Sequence, residues 1–328
     1  MQVGSGGSPV SGFDPDAAFL AFLSATNEKR IEGDVFEALI ADLAGEDPIL
    51  ITDSSIRLFV PAIGEGAQAQ ELADHLRRHT GRAISLHGND VSDSLDAMAR
   101  DRLLADPNIE SVDIQTADAF GPGAISVGDI DVVVVSHLLY YAPSRDAVRA
   151  FVAHVLDGLG ASGVALFTHQ APTSNAARLR ATYHEGFIAK PTLLVDEVAD
   201  GIDVPVYRLG YSSLFRFPNV DEGDVLARIG QEAGDAEERD LVTATRLMQF
   251  VFRYDLAEMR DLGILDAAAD EFFASLDPKT NEFEIASEAQ VLPSRLLAAD
   301  PAARSRLQAC VENVQTQAPE IMRRHRGG

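Results

Sequence analysis

The sequence predicts an α/β fold with a doubly wound, mostly parallel sheet, and three observations support this fold class. Five apolar segments of strand length alternate with helical patterns between residues 55 and 170. The segment 131–135, DVVVV, is almost entirely β-branched and apolar, which is typical of a central strand buried on both faces. A turn with two glycines, GEG at 64–66, separates the first strand from the next helix. Such alternation requires parallel pairing through right-handed crossovers, so a ligand crevice is predicted at the carboxyl ends of the strands.

The predicted elements are located by the spacing of their apolar residues. Two helical patterns fill 14–43, ahead of the first strand. The five strands are predicted at 58–60, 83–87, 112–115, 131–135 and 164–168, with helices at 67–81, 92–104 and 145–159. Ser92 is the predicted N-cap of its helix. Further along, the sequence predicts helices at 174–185 and 240–260, strands at 206–217 and 282–291, and a helix with a basic tail at 302–328.

Charge and composition exclude several classes of function. The 328 residues carry 51 acidic and 27 basic side chains, a net charge of −24, and such a surface repels the phosphates of nucleic acids and anionic lipids. No apolar run approaches the length of a membrane span, and the first residues lack the features of a secretory signal. Cys310 is the single cysteine, which excludes an internal disulfide and favours a reducing compartment. A cytoplasmic protein that binds neither nucleic acid nor membrane is therefore expected.

Small and acidic residues follow the first two predicted strands. Gly64 and Gly66 allow the backbone to approach a ligand closely, and their spacing to Ala69 fits the pattern G-x-G-x-x-A. Asp90 follows the second strand, where a carboxylate can accept hydrogen bonds from ribose hydroxyls. Together, the turn and the acid favour nucleotide binding over a merely structural connection.

Further candidate residues stand at other breaks in the pattern. Asp118 follows the third strand, and Ser136 and His137 follow the fourth. Glu28 lies between the two early helical patterns, where it is either a solvated acid or one directed at a ligand. The eight histidines show no metal-ligand spacing such as H-E-x-x-H, so no metal requirement is expected.

These features together resemble the class I S-adenosylmethionine-dependent methyltransferases: the GEG turn, the acid after the second strand, TADAF, and DVVVVSHLLYY. The resemblance covers about residues 55–170 and implies a Rossmann-like fold, with S-adenosylmethionine as cofactor and S-adenosylhomocysteine as product. The cofactor contacts that it implies are Gly64 and Gly66 beneath the amino acid part, Asp90 at the ribose, Asp118 at the adenine amine, and Ser136 at the end of the fourth strand.

A narrower resemblance, to the histamine N-methyltransferase group, rests on three segments. They are FLSATNE at 22–28, SHLLYYAPSRDAVRAF at 136–151 and TSNAARLRATYHEGF at 173–187. The resemblance implies N-methylation of a small amine or nitrogen heterocycle, with Glu28 anchoring the acceptor, His137 orienting or deprotonating the nucleophile, and Tyr141 lining the pocket. Methyl transfer from the sulfonium to the acceptor is an in-line displacement. The protein aligns the acceptor's lone pair with the methyl group and excludes water.

Three positions depart from these family patterns. Val60 and Ala62 stand where the methyltransferases carry an acid and a glycine, and His137 replaces a glutamine of the histamine group. A catalytically silent cofactor-binding protein therefore stays an alternative. An NAD(P)-dependent oxidoreductase is another, because GEGAQA with Asp90 also fits a dinucleotide fingerprint. The choice among N-, O- and C-methylation and the oligomeric state stay open.

The sequence divides into five predicted regions, of which the third binds the cofactor. The regions are a flexible tail at 1–13, an N-terminal helical lid at 14–50, a cofactor-binding Rossmann-like core at 51–170, a segment at 171–300 that completes the sheet and the substrate pocket, and a C-terminal helix and tail at 301–328.

Overall fold

The structure, a computed structural model, describes residues 15–45, 48–50, 55–121, 124–125, 128–183, 204–229 and 239–325. Its contacts group the chain into two compact units. The first, which we call the sheet unit, comprises Lys29–Ala171, Ala189–Tyr211 and Ser287–Gly328. The second, which we call the helical unit, comprises Met1–Glu28, Pro172–Ile188 and Ser212–Ala286.

Seven strands form one mixed sheet among the described residues: β1 (Ile56–Pro61), β2 (Ile84–Asp90), β3 (Ile109–Thr116), β4 (Ile130–Ser136), β5 (Leu159–Gln170), β6 (Tyr207–Arg216) and β7 (Glu282–Pro293). Their order in the sheet is β3-β2-β1-β4-β5-β7-β6. Strands β1 to β5 pair in parallel, and β7 runs antiparallel to β5. The chain order reverses between β1 and β4, which is the switch point where an open α/β sheet leaves a ligand crevice. The predicted α/β class with a mostly parallel sheet is confirmed.

The helices of the described residues are α1 (Pro15–Ala25), α2 (Glu28–Leu43), α3 (Ala67–Thr80), α4 (Asp93–Leu104), α5 (Arg145–Gly158), α6 (Asn175–Tyr183), α7 (Glu222–Arg228), α8 (Arg239–Phe252), α9 (Leu256–Asp261), α10 (Leu265–Ala274), α11 (Arg295–Ala299) and α12 (Pro301–Arg324). Ser92 caps α4 as predicted, since its side chain accepts a hydrogen bond from the Leu95 N–H. None of these helices combines the length and the apolar composition that crossing a membrane requires.

Two apolar cores lie on opposite faces of the parallel strands, because side chains alternate along each strand. Leu58 of β1 belongs to one core and Phe59 to the other. The first core also contains side chains of α2, α3, α4 and α12, and the second contains α5. Helix α2 is part of the first core, and a covering role for residues 14–50 stays a prediction. The side chains of α2 that have no exposed surface include Val35, Phe36, Leu39, Ile40 and Leu43.

Phenylalanine rings fill the core of the helical unit. Phe22 of α1 stacks on Phe250 of α8 with ring centroids 4.0 Å apart. Phe215 and Phe272 both stack on Phe283 of β7, at centroid distances of 5.1 and 5.2 Å. Such rings bury large apolar areas and dominate core energetics. Of the apolar residues predicted as core within 240–260, Leu247, Met248, Phe250, Val251 and Leu256 are buried, whereas Tyr254 is only half-buried against the same core.

The single helix predicted at 240–260 is wrong, because the chain breaks within it. Helix α8 ends at Phe252, and Arg253 adopts a left-handed φ of 54°. Asp255 then caps α9, accepting a hydrogen bond from the Ala257 N–H at 2.8 Å. Leu256 continues the apolar spacing into the same core, so the pattern alone did not show the break.

Several strands are longer than predicted. Strand β2 continues through Asp90, β3 begins at Ile109, and β5 extends to Gln170. The predictions followed the apolar pattern, whereas backbone pairing continues through the polar residues at the strand ends. Asn89 and Asp90, for example, still pair with β3. The predicted tail at 1–13 lies outside the described residues.

Two glycines at the ends of α3 provide a test of its packing. Gly66, the N-cap, and Gly81, the C-cap, have φ values of 82° and 70°. A Cβ on Gly66 would lie 3.0 Å from the Cα of Ala99 in α4, whereas nothing lies within 4 Å of one on Gly81. Gly81→Ala should lower the free energy of unfolding by about 1 kcal/mol, the left-handed cost alone. Gly66→Ala should lower it by about 2 to 4 kcal/mol, since the backbone of α4 must also move. Urea denaturation measures both, and equal losses would contradict the packing of α3 on α4.

Candidate functional site

The turn after β1 lies at the switch point and has an unusual backbone. Ala62, Gly64 and Gly66 all have left-handed φ, at 50°, 59° and 82°. Nothing lies within 4 Å of the position where a Cβ on Gly64 would stand, so Gly64 faces open space. Gly66, in contrast, packs against Ala99. Ala62 holds its conformation at a cost of about 1–2 kcal/mol, in the place where the resembled family has a glycine. The turn therefore keeps its shape despite the alanine.

Two side chains at the end of β2 hold this turn. Asp90 Oδ2 accepts from the Gly64 N–H at 2.9 Å, and Asp90 Oδ1 accepts from the Ser92 N–H at 3.1 Å. Asn89 Oδ1 accepts from the Ala62 N–H at 3.3 Å. Both side chains are buried. The structure thus joins two predicted site residues, Gly64 and Asp90, and a contact from Asp90 to a ribose would use the remaining lone pairs of its carboxylate.

A fully buried acid, Glu32 of α2, lies at the ends of β4 and β5. Its Oε1 accepts from Ser136 Oγ at 2.7 Å and from Thr168 Oγ1 at 2.5 Å, and its Oε2 accepts from Lys29 Nζ at 3.0 Å. Burial alone would raise the pKa of Glu32, but the charges of Lys29 and His137 and the two hydroxyl hydrogen bonds lower it to about 2. Glu32 is therefore ionised at neutral pH and acts as a fixed anchor rather than as a proton acceptor.

Sequence reasoning missed Glu32, because it lies in the charged stretch NEKRIEGD at 27–34, which is typical of a solvated helix face. An indirect signal was available. Ser136 and Thr168 are hydroxyl residues near the ends of two buried strands, and they face each other in the β4–β5 register. Buried hydroxyls need hydrogen-bond partners, so a polar side chain from another element was required at this point.

Ser136, a predicted cofactor contact, is hydrogen-bonded within the protein. Its hydroxyl donates to Glu32 and accepts from Lys29 Nζ at 3.0 Å, and Gln68 Nε2 of α3 lies 3.4 Å away. The Lys29 side chain is 39% exposed, whereas that of Glu32 is fully enclosed. Lys29 is thus a cation at the carboxyl end of β4 that solvent reaches, and a cofactor contact of Ser136 stays a prediction.

Two histidines, His137 and His169, lie at the ends of the neighbouring strands β4 and β5. His137 has a left-handed φ of 52°, its N–H donates to the Thr168 carbonyl at 2.9 Å, and its Nε2 lies 4.0 Å from Glu32 Oε1. His169 is 2% exposed, and neither ring nitrogen has a hydrogen-bond partner among the described residues. Burial, and then electrostatic interaction with His137 and Arg208, lowers the pKa of His169 to about 4. His169 is therefore a neutral imidazole at pH 7, and sequence reasoning did not single it out.

The other predicted site residues make local contacts. Asp118, beyond the end of β3, is exposed, and its Oδ1 accepts from the Phe120 N–H at 2.9 Å. Tyr141 ends a short 3₁₀ turn after β4 and is 63% exposed. Glu28, the last residue of the helical unit, is buried, and its N–H donates to Thr26 Oγ1 at 3.1 Å. The ligand contacts of these three residues stay predictions.

The described part of the chain contains no group of three or more histidine, cysteine, aspartate or glutamate side chains arranged to hold a metal ion. The buried acid Glu32 is instead surrounded by an ammonium and two hydroxyls. The expected absence of a metal requirement stays a prediction.

Solved structures similar to this one include several methyltransferases. The plantazolicin methyltransferase BpumL, solved in complex with S-adenosylhomocysteine, is 10% identical with a TM-score of 0.45, over 86% of this chain and 91% of its own. The N-methyltransferase NodS from Bradyrhizobium japonicum WM9 is 12% identical with a TM-score of 0.42, over 82% and 98%. A TehB-like methyltransferase from Corynebacterium glutamicum is 17% identical with a TM-score of 0.34, over 54% and 76%.

At these identities and TM-scores, the likenesses do not establish a family, a cofactor or a substrate for this chain. None of the three is described as a histamine N-methyltransferase. No family model matches the sequence, and no curated protein matches it.

Removing the charge of Glu32 should destabilise the protein strongly. Glu32→Gln removes the charge that folding stabilises through Lys29 and the two hydroxyls, so the free energy of unfolding at pH 7 should fall by about 3 kcal/mol. Folding lowers the pKa of Glu32 from 4.5 to about 2, so this stability is present above pH 4.5 and is lost as the pH falls towards 2. Chemical denaturation should therefore show wild type and variant converging at low pH. A difference that stays constant from pH 7 to about pH 3 would contradict the assigned ionisation. Asp118→Asn, at an exposed acid, is the control and should change stability by less than about 0.5 kcal/mol.

His169 should make stability depend on pH in a higher range. Its pKa falls on folding from 6.5 to about 4, so the unfolded chain binds a proton between these values that the folded chain does not. The free energy of unfolding should therefore decrease by about 3 kcal/mol as the pH drops from 6.5 to 4. His169→Asn should remove most of this decrease, as measured by urea denaturation at several pH values. The same slope in wild type and variant would show that another group titrates.

Proposed function

We propose that this chain is an S-adenosylmethionine-dependent methyltransferase that N-methylates a small amine or nitrogen heterocycle. The observation that carries the proposal is the turn after β1. Gly64 faces open space in a left-handed conformation, and the buried Asp90 holds its N–H at 2.9 Å. This turn stands at the switch point between β1 and β4, where open α/β sheets bind nucleotide-containing ligands.

The side chains near the strand ends fit the chemistry of this cofactor. Gly64 leaves room for close approach of a ligand, and the Lys29 ammonium is a donor to a carboxylate. Asp90 and Asp118, at the ends of β2 and β3, are acceptors suited to ribose hydroxyls and an adenine amine. When bound, the cofactor supplies a methyl group activated by its sulfonium.

The residues after β4 and at the start of α2 would bind and orient the acceptor. The His137 backbone is fixed by its hydrogen bond to Thr168, and its imidazole can orient the nucleophile or accept its proton. Tyr141, largely exposed, offers an aromatic face that attracts a cationic acceptor. Glu28 would pair with the amine or imidazole of the acceptor.

The oxidoreductase alternative has less support from the sheet. The common dinucleotide-binding sheet has the order 3-2-1-4-5-6 and consists of two parallel βαβαβ halves. Here the antiparallel strand β7 lies beside β5. The strands on the β4 side of the sheet therefore do not form a second parallel βαβαβ half. A cofactor-binding protein without activity remains the other alternative, and turnover of an acceptor distinguishes it.

Calorimetric titration with S-adenosylhomocysteine, NAD and NADP tests the cofactor class. We expect micromolar binding of S-adenosylhomocysteine and no heat from the nicotinamide nucleotides. Binding of NAD or NADP without S-adenosylhomocysteine would instead support an oxidoreductase. Binding of S-adenosylhomocysteine without turnover of any acceptor in a broad panel of amines and nitrogen heterocycles would support a cofactor-binding protein without catalytic activity.

A pair of glycine variants tests whether the ligand lies against the turn. Gly64→Ala and Gly81→Ala both place a Cβ at positive φ with nothing within 4 Å, so each should cost about 1 kcal/mol of stability. A ligand lying against Gly64 would collide with the new methyl group. We therefore expect Gly64→Ala to weaken S-adenosylhomocysteine binding by about 10-fold or more, and Gly81→Ala to leave it within about twofold. Equal affinities in the two variants would place the ligand elsewhere.

A further inference from the structure

We infer that Lys29 is a specificity-determining residue of the cofactor crevice, whose ammonium binds the carboxylate of the methyl donor's amino acid part. The inference rests on the proposed function and adds a residue that the sequence patterns do not mark. It concerns binding, since Lys29 has no part in the transfer of the methyl group.

Hydrogen bonds to Ser136 and Glu32 contribute to holding Lys29 in place within the sheet unit. Its Nζ lies 3.0 Å from Ser136 Oγ at the end of β4 and 3.0 Å from Glu32 Oε2. Gln68, the second residue of α3, reaches the same Ser136 hydroxyl at 3.4 Å. The helix α3 follows directly on the turn with Gly64. The ammonium is thus held between the end of β4 and the first turn of α3, the two elements that flank the switch point.

The net negative charge of the protein disfavours an anionic ligand, so a cation near the strand ends would favour its binding. The chain has a net charge of −24, and Lys29 is the sole lysine in the described part of the sheet unit. A ligand carboxylate approaching the strand ends would otherwise meet the charges of Asp90 and Glu32. The Glu32 carboxylate is already compensated by hydrogen bonds from Ser136 and Thr168 as well as by Lys29. Lys29 therefore supplies only part of this compensation, and the exposed part of its side chain can approach a ligand carboxylate from the solvent side.

The fixed side chain also reduces the entropic cost of binding. A free lysine side chain loses rotamer entropy when it is held in one conformation. Here the bonds to Glu32 and Ser136 hold it before a ligand arrives, while 39% of the side chain stays exposed. Preorganised side chains add affinity mainly because the entropic cost of ordering them is not incurred when the ligand binds.

Two ligands that differ in the amino acid part test the inference. S-adenosylhomocysteine carries the carboxylate, whereas 5′-methylthioadenosine keeps the adenosine and the sulfur but lacks it. We expect Lys29→Gln to weaken calorimetric binding of S-adenosylhomocysteine by about 10- to 100-fold, as for loss of a charge-assisted hydrogen bond. Binding of 5′-methylthioadenosine should stay within about twofold. Lys29→Arg, which keeps the charge, should retain most of the affinity for S-adenosylhomocysteine.

Controls separate the possible failures. Lys279→Gln removes the same charge in the helical unit and should leave both affinities unchanged. Equal weakening of both ligands by Lys29→Gln would overturn the inference, because it would show a general structural effect. Unchanged binding of S-adenosylhomocysteine in Lys29→Gln would overturn it too, while leaving the proposed function intact. If wild type binds neither ligand, the proposed function fails, and the inference fails with it.

Discussion

The carboxylate of Glu32 is the constraint on which the carboxyl edge of the sheet unit depends. An ionised carboxylate without exposed surface is stable only if its oxygens are fully hydrogen-bonded and its charge is compensated. Glu32 meets this requirement with groups from three elements: Lys29 on its own helix α2, Ser136 at the end of β4 and Thr168 near the end of β5. If one of these elements moved away, the buried carboxylate of Glu32 would lose a hydrogen bond or its ion pair. The ends of β4 and β5 are therefore tied to α2 where the candidate crevice begins.

Asp90 organises the neighbouring strand ends in a different way. Its two oxygens accept backbone N–H groups, from the turn after β1 and from the residue that caps α4. One acid thus joins β2 to the turn, and the other joins α2 to β4 and β5. In a chain with almost twice as many acids as bases, both carboxylates point into the protein and have structural partners. The proposed ribose contact of Asp90 would come in addition to this structural role, so substituting Asp90 would alter both.

The fold could be predicted from the sequence because alternation of apolar segments is a local signal that every strand and helix repeats. Glu32 could not, because its burial depends on Thr168, 136 residues away, and its own neighbours look solvated. The break at Arg253 was missed for the opposite reason, since apolar spacing continued across it. The sequence singled out both Gly64 and Asp90, and a hydrogen bond joins them in the structure, but the sequence did not show that Asp90 shapes the turn. Local patterns thus locate elements, whereas the partners of buried charges are set by distant strands.

Ala62 shows which residues determine the conformation of the turn after β1. An alanine has no intrinsic preference for left-handed φ, yet Ala62 adopts it while the Asn89 amide oxygen receives its N–H and Asp90 receives that of Gly64. The conformation is therefore imposed from the adjacent strand and does not require glycine at that position. At position 62 the turn thus keeps its shape without a glycine because the polar pair on the next strand holds it, whereas Gly66, packed against Ala99, has no room for a Cβ. Sequence motifs centred on glycine alone would then overlook chains that retain the same turn.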